Sequence, residues 1–568
     1  VLQIAQFALW AALFSVIYTQ SPLYRSTQNT YFLHGAAAAG VGFLADDWLS
    51  RTADPTPAFS ALVTVTLASL DAWVFYVMAA MLFGAYAMAM IGLVRKTFGI
   101  HDSTRTLLFI TAFLAVHAII VRAASQKLLF GLDLPYLVHQ GLATQWSLSP
   151  KFAPSSFGVL FVPAVYCAVR DRWPLAIVCT TVASTMHPTY ILPAAIFTLA
   201  FMVDQWRQPG GAKRAIAIGL VTSVMILPIL IYVRLTFQPA PEPVHAMALR
   251  LLADELIPHH TDPSTWHWLE SGLQLLVIAG GLLAAWRTRL FPILATCVSI
   301  ALVLSVMAVV LGSKPLALLF PWRISVALIP ISTAVIMGRV VANAGPRVKV
   351  MSIARKRVLE ASCVAAIAVM ACGGIVKMMV ERRSIATEPD RGIIAFARDN
   401  KVEGDLYLVP VPARASQPEL MRDFRLNAGV PIFVDMQTHP YRDDELMEWD
   451  RRVRLARLVY QGSGPRRDDL IRTIVTACSI THIVWPADDQ SLPIAGHELY
   501  RDEHYRVLRV APAEVAASEL HSLEDRFRDH ADDEHDGSPE PRGVNDVATP
   551  LNRSTDIAGN ALGAGDEP

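Results

Sequence analysis

"STMHPTYILP", residues 184–193, joins two apolar stretches at about 174–186 and 189–203. Each is shorter than the about 20 residues that a helix needs to cross a bilayer. As one kinked helix, the stretch makes a single span. As two short helices, it makes a hairpin with His187 and Pro188 at its tip. The choice decides on which side of the membrane every later loop falls, and charge decides the choice. With a hairpin, one set of loops holds Arg95, Lys96, Arg105, Arg170, Arg172, Arg207, Lys213, Arg214, Arg287, Arg289 and the cluster from Arg339 to Arg357. That is about 16 basic residues in mostly short loops against about 9 in the longer loops opposite, the bias of a cytoplasmic face. A merged span would move Arg207, Lys213, Arg214 and everything after them to the other side. The sequence therefore predicts a short helical hairpin, an inside N-terminus and an outside C-terminus.

Outward from this point, apolar segments recur at about 3–19, 73–94, 106–121, 153–169, 215–233, 269–286, 290–311, 324–342 and 358–379, about eleven spans with the hairpin pair. Composition agrees: the 568 residues are 53% hydrophobic and 17% charged, where soluble domains have about 45–50% and about 25%. Residues 3–19 lack a basic leader and an Ala-x-Ala-like cleavage site, so they are expected to be a first span. Lys+Arg and Asp+Glu balance at 49 each, which gives no sign of nucleic-acid binding. Five of the six cysteines lie in apolar stretches, Cys478 stands alone, and no Cys/His metal spacing occurs, so they read as small core residues.

The fold class is thus a polytopic α-helical membrane protein with a C-terminal α/β domain on the outer side. Residues 1–383 form the transmembrane part and 388–512 the α/β domain, where "DLYLVP", "VPIFVD", "THIVWP" and "YRVLRV" are expected strands and "DDELMEWDRRVRLARLVY" a helix. Residues 513–568, acidic and rich in Gly, Pro, Asp and Ser, are expected to be a disordered tail.

This topology gathers the unusual residues on one face. Asp46 and Asp47 lie in "FLADDWLSRTADP" of the first outer loop, expected near the C-terminal end of a helix over 31–49, where the dipole disfavours anions. A solvated loop start that caps the next turn is the more common role of such a pair. Lys127, Asp133, His139, Gln140 and Lys151 share the next outer loop, and His187 joins them at the hairpin tip. His260 sits in "IPHHTDP" and Arg323 in "FPWRIS". His259, His260, Asp262 and His267 are irregularly spaced, and no metal is indicated. Transfer of a sugar from a lipid phosphate needs a base near the acceptor hydroxyl and cations around the departing phosphate. A carboxylate at the membrane surface meets the first need. Lys127, Lys151, Arg323 or Arg122 meets the second, although each alone also fits an interfacial anchor. Arg425, Asp435 and His439 of the C-terminal domain are either ligand contacts at strand ends or structural ion pairs.

A short early span, a long outer loop with an acidic pair, short outer helices, about eleven spans and an outer α/β domain together resemble the GT-C superfamily of integral-membrane glycosyltransferases. "FLADDWLSRTADPTPAFS", "MHPTY", "IPHHTDP" and "FPWRIS" are similar to one uncharacterised bacterial branch. The resemblance covers most of the chain except the tail. It implies an inverting transfer on the outer face of the bacterial cytoplasmic membrane, a polyprenyl-phosphate-linked sugar as donor, and a glycan, lipid or protein as acceptor. It also implies an Asp of the first outer loop as base. That role falls on Asp47, favoured by its "DW" context, or on Asp46. Lys151, Arg323, His187, His260, His139 and Gln140 are the expected donor or acceptor contacts, with no cofactor beyond the lipid-linked donor. Asp133 is the candidate for a second acidic site. Two other classes compete: a transporter or lipid flippase, and a non-catalytic scaffold or sensor with an outer ligand domain. His117, Glu270, Arg339, Glu360 and Lys377 are all expected toward span ends, which disfavours an ion-coupled carrier.

Overall fold

The computed structural model describes residues 2–129, 133–412, 421–461, 465–489 and 496–510. The stretch 513–568, expected to be a disordered tail, lies outside the described residues. The chain forms two compact units. Of the described residues, the first takes those within 2–39, 52–382 and 440–447, and the second those within 40–51, 383–439 and 448–510. Composition gave no sign that 40–51 belongs with the C-terminal residues, or 440–447 with the first unit.

The first unit is helical. Among the described residues, six helical segments are long and apolar enough to cross a membrane: Val74–Phe98, Ala212–Thr236, Trp268–Ala285, Leu290–Val310, Lys314–Asn343 and Ile353–Ala386. The two 25-residue helices reach about 37 Å, beyond the about 30 Å of a hydrocarbon core. Shorter apolar helices cover Ile4–Tyr18, Pro57–Ser69, Pro154–Val169 and Trp173–Met186. The most enclosed of the six is Lys314–Asn343, whose helix Ser325–Asn343 packs against Val74–Phe98, Ser103–Ala115 and Trp268–Ala285. The first helix, Leu2–Tyr18, lies along Val74–Phe98. A Cβ on Gly84 would sit 2.9 Å from that of Ala11, so small residues set this approach.

The stretch 184–193 holds two helices, Trp173–Met186 and Ile191–Trp206, with a 3-10 turn, Pro188–Tyr190, between them. His187 marks the break, extended at φ −141° and ψ 104°. The ring of Pro188 disfavours helical backbone in the residue before it. A second break was not expected. The segment read as one span over 106–121 is two helices, Ser103–Ala115 and Ile119–Leu128, bent by 61°. No proline causes it. His117 Nδ1 lies 2.7 Å from the Phe113 carbonyl, and the His117 amide falls back to Leu114 O at 3.1 Å. A side chain inserted into the i→i−4 ladder bends a helix. His117 therefore sits at the junction inside this pair, not toward a span end.

The expected helix over 31–49 is also corrected. Its helical part ends at Leu33–Ala38, and Gly40 and Gly42 follow with φ of 75° and 54°. Asp46 closes a 3-10 turn, Leu44–Asp46, and Asp47 is extended, so no helix dipole opposes the acidic pair.

The second unit carries a four-stranded mixed sheet in the order β1-β2-β4-β3. The strands are β1, Tyr407–Leu408; β2, His482–Pro486; β3, His497–Arg501; and β4, Tyr505–Arg509. β1 and β2 are parallel, and β4 pairs antiparallel with both β2 and β3. Helices Arg391–Asn400 and Phe424–Ala428 pack against each other. Ile393, Ile394, Phe424, Tyr407 and Val484 lie in one core. "VPIFVD" was expected to be a strand. It is buried and makes one parallel bridge, Ile432 to Tyr407, through Pro431 O and Phe433 N, while the Ile432 amide, on the other edge, donates to a side chain.

Candidate functional site

Within the first unit, Arg323 lies in a 3-10 turn, Pro321–Ile324, entered through Phe320 at a left-handed φ of 50°. A bulky residue in that region stores strain, and such strain concentrates at functional sites. The turn places the Arg323 side chain inside the protein, 8% exposed. Its guanidinium stands 4.9 Å over the Tyr190 ring and 5.8 Å from that of Phe320. Nη2 lies 3.3 Å from His187 Nε2, and Nε has no partner among the described residues. No carboxylate among the described residues pairs with it.

The surrounding groups are neutral. A guanidinium only donates, so His187 Nε2 must accept and its Nδ1–H must donate to Thr189 Oγ1 at 3.1 Å. Burial, and then the Arg323 charge, hold the His187 imidazole well below its usual range. His260 Nδ1 donates to the Ala143 carbonyl at 2.7 Å, which leaves Nε2 as an acceptor. Burial, then His259 and Arg323, push the His260 imidazole down to about 3. Tyr190 Oη donates toward the Ser155 carbonyl at 2.8 Å. Tyr31 lies edge-on to His187, ring centroids 5.7 Å apart, and is hydrogen-bonded to Tyr441. A buried cation that cannot lose its proton, ringed by aromatic faces and neutral imidazoles, has the chemistry of an anion site.

The loop 139–146 ties this cluster to a second polar one. Ala143 and Thr144 are both left-handed, at φ 59° and 53°. Gln140 Nε2 donates to the Leu148 carbonyl at 2.8 Å, while Gln140 Oε1 and both amide atoms of buried Gln145 have no partner among the described residues. His139 lies against His117, ring centroids 4.9 Å apart, and His117 Nε2 meets Tyr86 Oη at 3.0 Å. Of the residues expected from sequence, His139, Gln140, His187, His260 and Arg323 are thus joined through one loop. Lys151 is close in sequence, where its carbonyl accepts from Ser156 Oγ at 3.3 Å. Arg122 is not a free cation. Its Nε holds Asp133, which also caps helix Leu134–His139 through Tyr136 N at 3.0 Å. Asp262 accepts from Ser264 N and Oγ, and His267 caps Trp268–Ala285. Among the described residues no group of three or more His, Cys, Asp or Glu is placed to hold a metal.

Asp46 and Asp47 belong to the second unit, and their environments differ. Asp47 is fully buried. Its Oδ1 accepts from Leu49 N at 2.9 Å, and its Oδ2 from Arg425 Nε at 2.9 Å and Ile432 N at 3.0 Å. Arg425, 2% exposed, turns its Nη1 to Asp435 Oδ2 at 2.7 Å. Gly42 and Gly429 allow this pairing. Phe43 N donates to Gly429 O at 3.0 Å, and a Cβ on Gly42 would lie 2.1 Å from that oxygen. Asp46 is about half exposed and meets Arg51 Nη2 at 2.8 Å. Sequence reasoning missed the Asp47–Arg425 pairing, since 378 residues separate the partners. It also passed over Tyr31 and Gln145, which no spacing singles out.

Residues 389–456, which include Arg425 and Asp435, match a family described as a domain of unknown function, DUF6798. No curated protein matches this chain.

Proposed function

We propose that this chain is a multi-pass protein of the bacterial cytoplasmic membrane, with about eleven spans, N-terminus inside and C-terminal domain outside. In this reading it transfers a sugar from a polyprenyl-phosphate donor to a glycan, lipid or protein acceptor on the outer face. The observation that supports this best is Arg323, a buried guanidinium with no carboxylate partner among the described residues. Burial of an unpaired charge costs several kcal/mol, and a bound phosphate would remove that cost. In the transfer, the bond from the sugar anomeric carbon to the phosphate oxygen breaks and its electron pair leaves with the polyprenyl phosphate. The acceptor oxygen attacks from the opposite face, which inverts the centre, and its proton passes to a carboxylate of the first outer loop. Resemblance names Asp47 for that role. Asp46 is the member of the pair whose carboxylate is half exposed.

A second reading, a membrane scaffold with an outer ligand domain, draws on the closed Asp47–Arg425–Asp435 set, in which the acidic loop serves architecture. One experiment separates the two. Purified protein is titrated with polyprenyl monophosphate and incubated with a panel of polyprenyl-phosphate sugars, alongside Arg323→Ala. The transferase reading expects donor binding, turnover, and a loss of at least about tenfold in affinity in the variant. Binding unchanged in Arg323→Ala, or no panel member ever bound, moves the scaffold ahead.

A further inference from the structure

Helix Ile191–Trp206 begins beside Tyr190 and ends, about 24 Å further on, at a cleft of about 590 Å³. Three guanidinium groups, Arg207, Arg287 and Arg289, line it against one carboxylate, Asp204. Arg289 is spent within the protein. Its Nη1 and Nη2 clamp Asp171 at 2.7 and 2.6 Å, and Nη2 reaches Asp204 at 2.9 Å. Arg207 and Arg287 are both exposed, and neither forms an ion pair among the described residues. The turn between helices Trp268–Ala285 and Leu290–Val310 is pinned by a left-handed Arg287 (φ 64°), so that side chain is offered on a fixed turn. Trp286, 53% exposed, stands edge-on to Phe291 with ring centroids 4.7 Å apart.

Two features say what fits. The free charge calls for an anion. The helices that border the cleft also keep apolar side chains outward: Leu199 on one, and Leu283, 74% exposed, on the other. An aromatic residue at the junction of charge and apolar surface is the arrangement of a membrane interface. Basic pockets between spans bind the head groups of anionic lipids. We propose that this cleft binds an anionic phospholipid, its phosphate held by Arg207 and Arg287 and its acyl chains laid along the adjoining helix faces. The site lies at the opposite end of a helix from Arg323 and does not depend on the transferase reading.

The test uses the full chain in detergent, titrated separately with phosphatidylglycerol, phosphatidylcholine of the same acyl chains, and inorganic phosphate. Native mass spectrometry reads retained lipid, and thermal unfolding reads stabilisation. Phosphatidylglycerol alone should be retained and should raise the unfolding temperature. Arg207→Gln/Arg287→Gln should weaken retention by about tenfold or more, Arg207→Lys/Arg287→Lys should largely restore it, and Arg355→Gln/Lys356→Gln should leave it unchanged. Equal retention of phosphatidylcholine, equal stabilisation by inorganic phosphate, or a Gln pair that still retains phosphatidylglycerol would overturn the proposal. If the Gln pair does not fold, the lipid comparison on the unaltered chain and the Lys pair still decide.

Discussion

Two buried arginines, one in each unit, have opposite surroundings. Arg425 lies between two carboxylates, Asp47 and Asp435, each within 2.9 Å. Arg323 lies among rings and neutral imidazoles with an unpartnered Nε. Both side chains are withdrawn from water, and neither can shed its proton. The difference is whether the protein itself supplies the counter-charge. Where it does, the arginine is part of the architecture. Where it does not, the missing charge is the one the proposed phosphate ligand would supply.

Breaking the complete set should cost most. Arg425→Ala leaves two buried carboxylates, Asp47 and Asp435, uncompensated, worth about 3–5 kcal/mol, while Asp47→Asn keeps the Arg425–Asp435 pair and weakens the acceptor for the Leu49 and Ile432 amides. The loss should be read as accelerated hydrogen exchange over residues 44–49 and 424–435. A change of less than about 1 kcal/mol would mean that water reaches Arg425 and the set is no anchor. The incomplete set should behave in the opposite way. Arg323→Met removes a cation that has no carboxylate partner among the described residues and keeps much of its apolar bulk. It should leave the unfolding temperature unchanged or raise it, while it abolishes stabilisation by polyprenyl monophosphate. In the unaltered chain that ligand at 100-fold its Kd should add about 2.7 kcal/mol. A strongly destabilised Arg323→Met would show that the stacked guanidinium is itself structural.

How much of this was legible in the sequence follows the range of each signal. Apolar runs and Pro188 act locally, so the long helices and the break at His187 could be read directly. "MHPTY", "IPHHTDP" and "FPWRIS" drew notice as short motifs, and His187, His260 and Arg323 meet in one buried cluster. The bend at His117 escaped because a histidine ring that competes for a helix carbonyl leaves no mark in hydropathy. "VPIFVD" has strand composition, but its amides are claimed by Asp47 and by β1. The role of Asp47 itself could not be seen, because its partner lies hundreds of residues away and a carboxylate pair looks the same in sequence whether buried or solvated.

The neutral imidazoles around Arg323 give the comparison a pH signature. His260 binds a proton near 6.5 in the unfolded chain and near 3 in the folded one. Its contribution to stability is therefore complete above about 6.5 and is lost as pH falls toward about 3. His260→Gln should flatten the decline of unfolding temperature with acid across this window. An unaltered slope would place the acid sensitivity elsewhere, with His187 next to test, since its imidazole is held down for the same reason.

The smallest stability effect is expected at Asp46, and that makes it the sharpest probe of the acidic pair. Its contact with Arg51 joins two side chains that are 49% and 63% exposed, and such pairs are worth less than about 1 kcal/mol. Asp46→Asn should leave thermal unfolding nearly unmoved. If the first outer loop supplies the general base through Asp46, the same substitution should cost turnover about 10²–10⁴-fold with donor binding retained. Asp47→Asn should do the reverse, with stability lost first and turnover lost only as the folded fraction falls. The two variants therefore cross, and each assay reports on one residue. If Asp47→Asn instead abolishes turnover in protein that remains folded, the base lies inside the arginine-bound set. Its coordination by Arg425 would then have to open for the acceptor, and hydrogen exchange at Leu49 and Ile432, whose amides Asp47 accepts, should quicken when donor is bound.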